Sequence, residues 1–381
     1  MTWERVKLGE ITESCLGKML DQNKNKGTYQ KYLANVNVRW GSFDLDNLAE
    51  MRFEDDETER YGVRYGDLIV CEGGEPGRCA IWKDEVPNMK IQKALHRVRV
   101  LPEKADAFYL LYWFIYAGQR KELVQYFTGA TIKHMPGDKL KQVVVALPDL
   151  PTQHRIASIF SAYDDLIENN RRQIKLLEEA AQRLYREWFV ELRFPGHEDV
   201  KIVDGVPEGW KKVKLQEICP VKTGKKDANF GTTDGKYPFF TCAQAPIQAP
   251  SYSFDCSAVI LAGNGDFNVK IYRGQFEAYQ RTYVLSPLDL EHLFLLFNSV
   301  RMNMDVLTKG ASGSTIKFLT KGMIDSIELL IPPALLLDQY NKISESIQSK
   351  VELLKHKIDL STEVRDMLLP KLMSGEMEVS S

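Results

Sequence analysis

Cysteine is scarce: among 381 residues there are six, Cys15, Cys71, Cys79, Cys219, Cys242 and Cys256, with no CxxC pair and no nearby histidine pair. That spacing argues against a structural zinc site or a disulfide framework and predicts reduced thiols in a cytoplasmic protein. An excess of one charge is also missing. The 50 Lys and Arg stand against 52 Asp and Glu, a net charge of −2, so the basic surplus that usually marks a nucleic-acid binder is absent. An apolar run of ten residues, Phe108 to Ala117, is well short of the roughly 20 that span a bilayer, and predicts a buried helix. The opening Met1-Thr-Trp-Glu-Arg5 lacks the apolar stretch of a secretory signal. No membrane association is expected. Catalytic signatures are missing too. There is no GxxxxGK[ST] phosphate loop, no Asn/Asp-Pro-Pro-aromatic tetrad, no HxxxH pair and no persuasive metal-nuclease carboxylate cluster. The expectation is a reader without a catalytic site or a metal.

What is present is the composition of a folded protein, 44% hydrophobic and 27% charged, at a length that favours two or more domains. It is also repetitive. Trp3-Glu-Arg-Val-Lys-Leu-Gly-Glu-Ile11 recurs as Trp210-Lys-Lys-Val-Lys-Leu-Gln-Glu-Ile218, identical at six of nine positions. Gly129-Ala-Thr-Ile-Lys133 is echoed by Gly313-Ser-Thr-Ile-Lys317, and each leads through a strand-like run to Pro148 or Pro332. A strongly helical segment follows each proline, so the plan reads module, helix, module, helix. Each module is turn-rich and mixed. Tyr65-Gly-Asp-Leu-Ile-Val-Cys71 with Gly73–Gly77, and Ser257–Ala262 with Gly263-Asn-Gly265, read as strand-and-turn counterparts. The polar stretch 197–206 reads as a connector.

The helical segments carry heptad seams. The first runs through Ile156, Phe160, Tyr163, Ile167, Asn170, Ile174, Leu177, Ala181, Leu184 and Trp188, about 50 Å of helix. The second runs through Ile347, Val351, Leu354, Ile358, Ser361, Arg365, Leu368 and Leu372. Asn170 and Ser361 are polar near the middle of their seams. Antiparallel packing would place both in one central layer and fix register. Such a pair of helices is a spacer between two similar heads.

Charge separates along this plan. Residues 1–150 hold 22 basic and 22 acidic side chains, residues 207–333 hold 14 and 12, and the remainder holds 14 and 18. Within the modules basic residues interleave with Asn, Gln and aromatics, the mix that neutralises phosphate and reads base edges. Candidate DNA contacts in module one are Lys18, Tyr32, Asn35, Asn37, Arg39, Arg78, Gln92, Lys93, Thr131 and Lys133, with Lys24, Lys26 and Lys31 nearby. In module two they are Lys222, Lys225, Lys226, Tyr237, Gln280, Arg281, Thr315 and Lys317. For any single one of these, a solvated surface residue is the blander alternative. Glu54-Asp-Asp-Glu57 would be repelled by a phosphate backbone. A non-catalytic scaffold whose modules bind protein partners is the competing reading.

The whole chain resembles the specificity subunit of type I restriction–modification enzymes. The match is carried by Tyr32-Leu-Ala-Asn-Val-Asn37, Phe43-Asp-Leu45, Tyr65–Val70 with Gly77-Arg78, Leu147-Pro-Asp-Leu-Pro-Thr-Gln153, Ala180–Leu184 with Glu187–Val190, and Met367-Leu-Leu-Pro-Lys-Leu-Met-Ser-Gly-Glu376. The resemblance implies an α+β fold of two similar α/β target-recognition domains separated by two long helices packed as an antiparallel coiled coil. The boundaries expected are 1–150 and 207–333 for the recognition domains, 151–195 for the first helix, 334–378 for the second helix with the C-terminal tail, and 196–206 for the connector. It further implies a subunit that is no enzyme by itself. Its partners would be double-stranded DNA bearing an asymmetric bipartite target, two modification (methyltransferase) subunits and the restriction (motor-nuclease) subunits. S-adenosylmethionine, ATP and Mg would belong to those partners, with no cofactor on this chain. One departure stands out: Pro332-Pro-Ala-Leu-Leu-Leu-Asp-Gln339 places its Gln two residues later than the first lead-in does.

Overall fold

The computed structural model describes residues 3–21, 25–311 and 317–379, which fall into two compact units. One comprises Met1–Asn169 with Lys357–Ser381, the other Asn170–His356. The module boundaries expected from sequence therefore do not bound the compact units, because each unit takes part of both long helices. These are Leu150–Tyr185, 36 residues, and Ala334–Met373, 40 residues.

In the first unit, Glu4–Lys7 pairs antiparallel with Val144–Leu147, closing the module on itself. A four-stranded antiparallel sheet runs in the order Thr12–Leu16, Leu95–Val100, Leu68–Cys71, Cys79–Ile81. A smaller sheet orders Ala49–Phe53, Thr28–Leu33 and Lys90–Ile91. The apolar run forms the helix Ala107–Gln119, begun by Asp106, whose carboxylate accepts the Tyr109 N–H at 2.7 Å, and it buries Tyr109 through Phe114. That helix, the sheet, Ile156 and Phe160 of the first long helix and Leu369 and Leu372 of the second share one core. Asp164 on the first helix pairs with Arg365 on the second at 2.7 Å and accepts the Tyr112 hydroxyl at 2.8 Å. Early residues of one helix thus meet late residues of the other, so they run antiparallel here.

The second unit repeats the plan. Lys211–Lys214 pairs with Glu328–Ile331. A six-stranded sheet runs Val221–Thr223, Thr282–Leu285, Phe254–Ala262, Val269–Ala278, Tyr237–Phe240, Ile247–Ala249. The helix Leu293–Met302 takes the place of Ala107–Gln119. Late residues of the first long helix and its π-helical turn Arg186–Val190 pack on early residues of the second; the Trp188 and Phe189 rings lie 5.8 and 4.8 Å from the Tyr340 ring. The antiparallel sense recurs. The stretch read as a connector contains a 3-10 turn, His197–Asp199, and a short hairpin of Ile202–Val203 with Val206–Pro207.

The seams are largely interior: Ile156, Phe160, Ile167, Asn170, Val351, Leu354 and Ser361 are buried, and Tyr163, Ile174, Leu177, Leu184, Ile347 and Ile358 half-buried. The two-residue offset at the second helix is corrected. Both long helices begin three residues after the preceding strand, at Leu150 and Ala334, so Leu337 and not Gln339 stands where Gln153 does. Gln153 and Leu337 are both buried, while Gln339 is exposed. Gln153 caps Asp106 N–H and Pro148 C=O at 2.9 and 2.8 Å, and Leu337 fills the same slot with apolar contact.

Candidate nucleic-acid interface

The functional candidates assemble on a backbone bracket that occurs in each unit. In the first, Gln92 N–H donates to Leu33 C=O, Lys93 N–H to Lys18 C=O, Glu72 N–H to Ala94 C=O and Met135 N–H to Glu72 C=O, at 2.7 to 3.0 Å. In the second, Tyr279 donates to Phe240, Gln280 to Lys226, Gly263 to Arg281 and Leu319 to Gly263, at 2.8 to 3.0 Å. Position by position, Lys18 matches Lys226, Gln92-Lys93-Ala94 matches Tyr279-Gln280-Arg281, Glu72-Gly73 matches Gly263-Asn264, and Lys133-His134-Met135 matches Lys317-Phe318-Leu319. Gly17 and Gly224 let the strands approach this closely. A Cβ on Gly17 would stand 2.4 Å from the Gln92 carbonyl oxygen, and one on Gly224 1.9 Å from that of Ala278.

The side chains riding on this shared frame differ. Lys93 and Lys133 are exposed in the first unit, as are Gln280, Arg281 and Lys317 in the second. Arg281 lies over the Phe318 ring, 5.9 Å from its centroid, and Gln280 donates to Asp227 at 2.7 Å. Ala94, at the place of Arg281, holds φ +91°, a conformation that favours glycine. Gly263, Gln280, Arg281, Tyr283 and Leu319 line a cavity of about 270 Å³. Asn35 and Arg78 adjoin the bracket of the first unit: a Cβ on Gly74 would lie 2.9 Å from the Asn35 amide, and one on Gly73 3.0 Å from the His134 ring.

Several sequence candidates are drawn elsewhere. Lys18 is buried, ion-paired with Glu57 and hydrogen-bonded to Arg52 C=O at 3.0 Å, so its charge is spent inside the fold and it is withdrawn as a DNA contact. Asn37 is also buried. Its side chain accepts Ala34 N–H and donates to Asp44 C=O, stapling the loop, which removes it as a base reader. Arg39 turns back onto its own loop through Asp44 at 3.0 Å and Val36 C=O. Arg78 is held by Glu75 and Asn35 C=O at 2.9 and 2.8 Å. Gln92 and Tyr32 are half-buried, Tyr237 packs against Tyr252 at 4.8 Å, and Lys226 lies 4.3 Å from the Phe230 centroid. Lys222, Lys225 and Thr131 are exposed, and so are Lys26 and Lys31. Lys24, Gly313 and Thr315 lie outside the described residues.

Sequence reasoning missed Glu72, His134, Asn264 and Phe318, which gain their positions only from the bracket. It also missed two buried struts beneath it. His96 Nε2 lies 3.0 Å from Met135 C=O, and the Tyr283 hydroxyl donates to Leu319 C=O at 2.7 Å. Burial pushes the His96 pKa below its ordinary value, against the opposing pull of the Met135 carbonyl and Glu72. No pattern in the sequence singles them out, because the strand Leu95–Val100 also carries Arg97 and Arg99 and the strand Thr282–Leu285 also carries Thr282. No group of three or more His, Cys, Asp or Glu among the described residues is arranged to hold a metal, and no helix there is long and apolar enough to cross a membrane.

A family model described as the type I restriction modification DNA specificity domain matches residues 1–179 and again 207–358. The type I restriction enzyme EcoDI specificity subunit of Escherichia coli is 39% identical over 176 residues, 45% of this chain and 39% of that protein. The MjaIX specificity subunit of Methanocaldococcus jannaschii is 25% identical over 343 residues, 82% of this chain and 78% of that one. Among solved structures, a type I restriction–modification S subunit from M. genitalium aligns over 97% of this chain and 96% of its own, with a TM-score of 0.63 at 18% identity. That last likeness is one of fold.

Proposed function

Because the chain belongs to the type I restriction–modification DNA specificity family, we propose that it is the DNA-recognition subunit of such a complex. Each unit reads one half of an asymmetric bipartite duplex target. The long helices set the spacer and dock two modification subunits, and restriction subunits complete the endonuclease. The chain itself performs no chemistry; S-adenosylmethionine, ATP and Mg are handled by the partners, in the cytoplasm.

The observation that supports this reading most is the duplicated bracket. One backbone frame carries different exposed side chains in its two copies, Lys93 with Lys133 in one and Gln280, Arg281 and Lys317 in the other. A constant frame with variable residues is what two unlike half-sites require. Near-neutral modules also make partner subunits necessary for much of the grip. Salt titration of duplex binding by the assembled complex is the test. Binding should weaken with salt, with a slope that falls by about one for each of Lys93→Ala, Lys133→Ala and Lys317→Ala. Salt-independent binding, or none with modification subunits present, would overturn the reading. Tight binding by the isolated chain at physiological salt would contradict the dependence on partners.

A further inference from the structure

Met135 and Leu319 are held at both ends of their peptide units. Each N–H donates to the facing strand end, Glu72 or Gly263, at 2.8 Å. Each C=O accepts from below, Met135 from His96 and Leu319 from Tyr283. His96 and Tyr283 stand at equivalent positions of equivalent strands, one residue after Leu95 and Thr282, whose carbonyls receive Gly17 N–H and Gly224 N–H. A carbonyl oxygen only accepts, so His96 Nε2 carries the proton in this bond. Both side chains are buried, at 2% and 9% exposure.

An apolar residue would fill either strand position as well by volume. Instead two chemically unrelated donors reach the same carbonyl in the two copies. What they share is only the bond, and the bond fixes the segment that ends in Lys133-His134 or Lys317-Phe318. We infer that His96 and Tyr283 are positioning residues for half-site discrimination, each aiming the Lys-bearing segment of its own unit; the inference rests on the DNA-reading function proposed above. Neither touches the duplex. Each removes the freedom of the segment that does, so losing the donor blurs one half of the target and spares the other.

The two copies supply each other's conservative replacement. His96→Phe and Tyr283→Phe keep a ring and remove the donor, whereas His96→Tyr installs the donor used by the other unit. The full chain, assembled with its modification subunits, is used to select from duplexes randomised at both half-sites. His96→Phe should lower discrimination at one half-site about tenfold while leaving the other within about twofold, and Tyr283→Phe should do the reverse. His96→Tyr should restore the lost half. Unchanged discrimination in His96→Phe, equal loss at both halves, or failure of His96→Tyr to rescue overturns the inference.

Peptide-level hydrogen exchange over residues 126–136 reads the same strut without DNA. Faster exchange in His96→Phe, returned to the parental rate in His96→Tyr, supports it; parental exchange in His96→Phe overturns it. If the parental complex selects no bipartite duplex, the DNA reading fails, and the exchange result still decides the strut.

Discussion

Replacing Arg281 by alanine separates a base reader from a phosphate contact. The bracket uses the backbone of Arg281, whose C=O accepts Gly263 N–H at 2.8 Å, and alanine keeps that bond. The side chain is exposed and lies over Phe318 at 5.9 Å, a cation–π contact worth about 0.5–1 kcal/mol at such a site. The stability loss on urea unfolding should therefore stay below about 1 kcal/mol. A guanidinium that reads one base pair bidentately contributes about 1–3 kcal/mol of discrimination, or roughly 5- to 150-fold. Competition anisotropy on the assembled complex, with single-base-pair variants of the target at several salt concentrations, measures this directly. The expected outcome is discrimination lost at one position, with the salt slope and the other positions retained. Equal weakening on every sequence with the slope reduced by about one would make Arg281 a phosphate contact. No effect on any sequence would refute its place in the interface.

Lys18 and Lys93, both basic and both in module one, should behave oppositely. Lys18→Met breaks the interior pair with Glu57 and should cost about 3 kcal/mol in urea unfolding, whereas Lys93→Ala should cost under about 0.5 kcal/mol and lower the salt slope of binding by about one. Asn170 is buried with Nδ2 lacking a hydrogen-bond partner, and the equivalent position of the second long helix is Leu354. Asn170→Leu should raise stability by about 1 kcal/mol; an unchanged or lower melting midpoint, with helix pairing intact, would contradict that. His96 is held neutral with its pKa below the ordinary 6.5. The unfolded chain takes up a proton as pH falls through that value and the folded chain only at lower pH, so this residue's contribution to stability declines from about pH 6.5 downward. Comparing urea midpoints at pH 7.5 and 5.5, the acid-side loss should be smaller in His96→Tyr than in the parent.

Much of this architecture was legible in the sequence because it is local or periodic. The heptad spacing from Ile156 to Trp188, the repeated Trp3 and Trp210 motifs and the apolar run beginning at Phe108 need no knowledge of distant partners. The interface was less legible for the opposite reason. Lys18 looks like a solvent-facing cation until Glu57, 39 residues away, is folded against it. Asn37 looks like a base reader until Asp44 and Ala34 consume its amide. Ala94 and Arg281 share no side-chain chemistry, and their equivalence exists only in the carbonyls that receive Glu72 and Gly263 N–H. Gln339 looks like the counterpart of Gln153 until the common helix starts, Leu150 and Ala334, put the buried Leu337 in that place instead. In each case contacts made only in the folded chain decide what a side chain can do.

In the proposed function, two copies of one frame read two unlike half-sites across a spacer set by the helices. Methylome sequencing of cells carrying the modification subunits, with and without this chain, tests it most directly. The expected result is methylation that depends on the chain and marks one motif of two short, different halves at a fixed separation, with the intervening bases unconstrained. A single contiguous motif, or methylation indifferent to the chain, would contradict it.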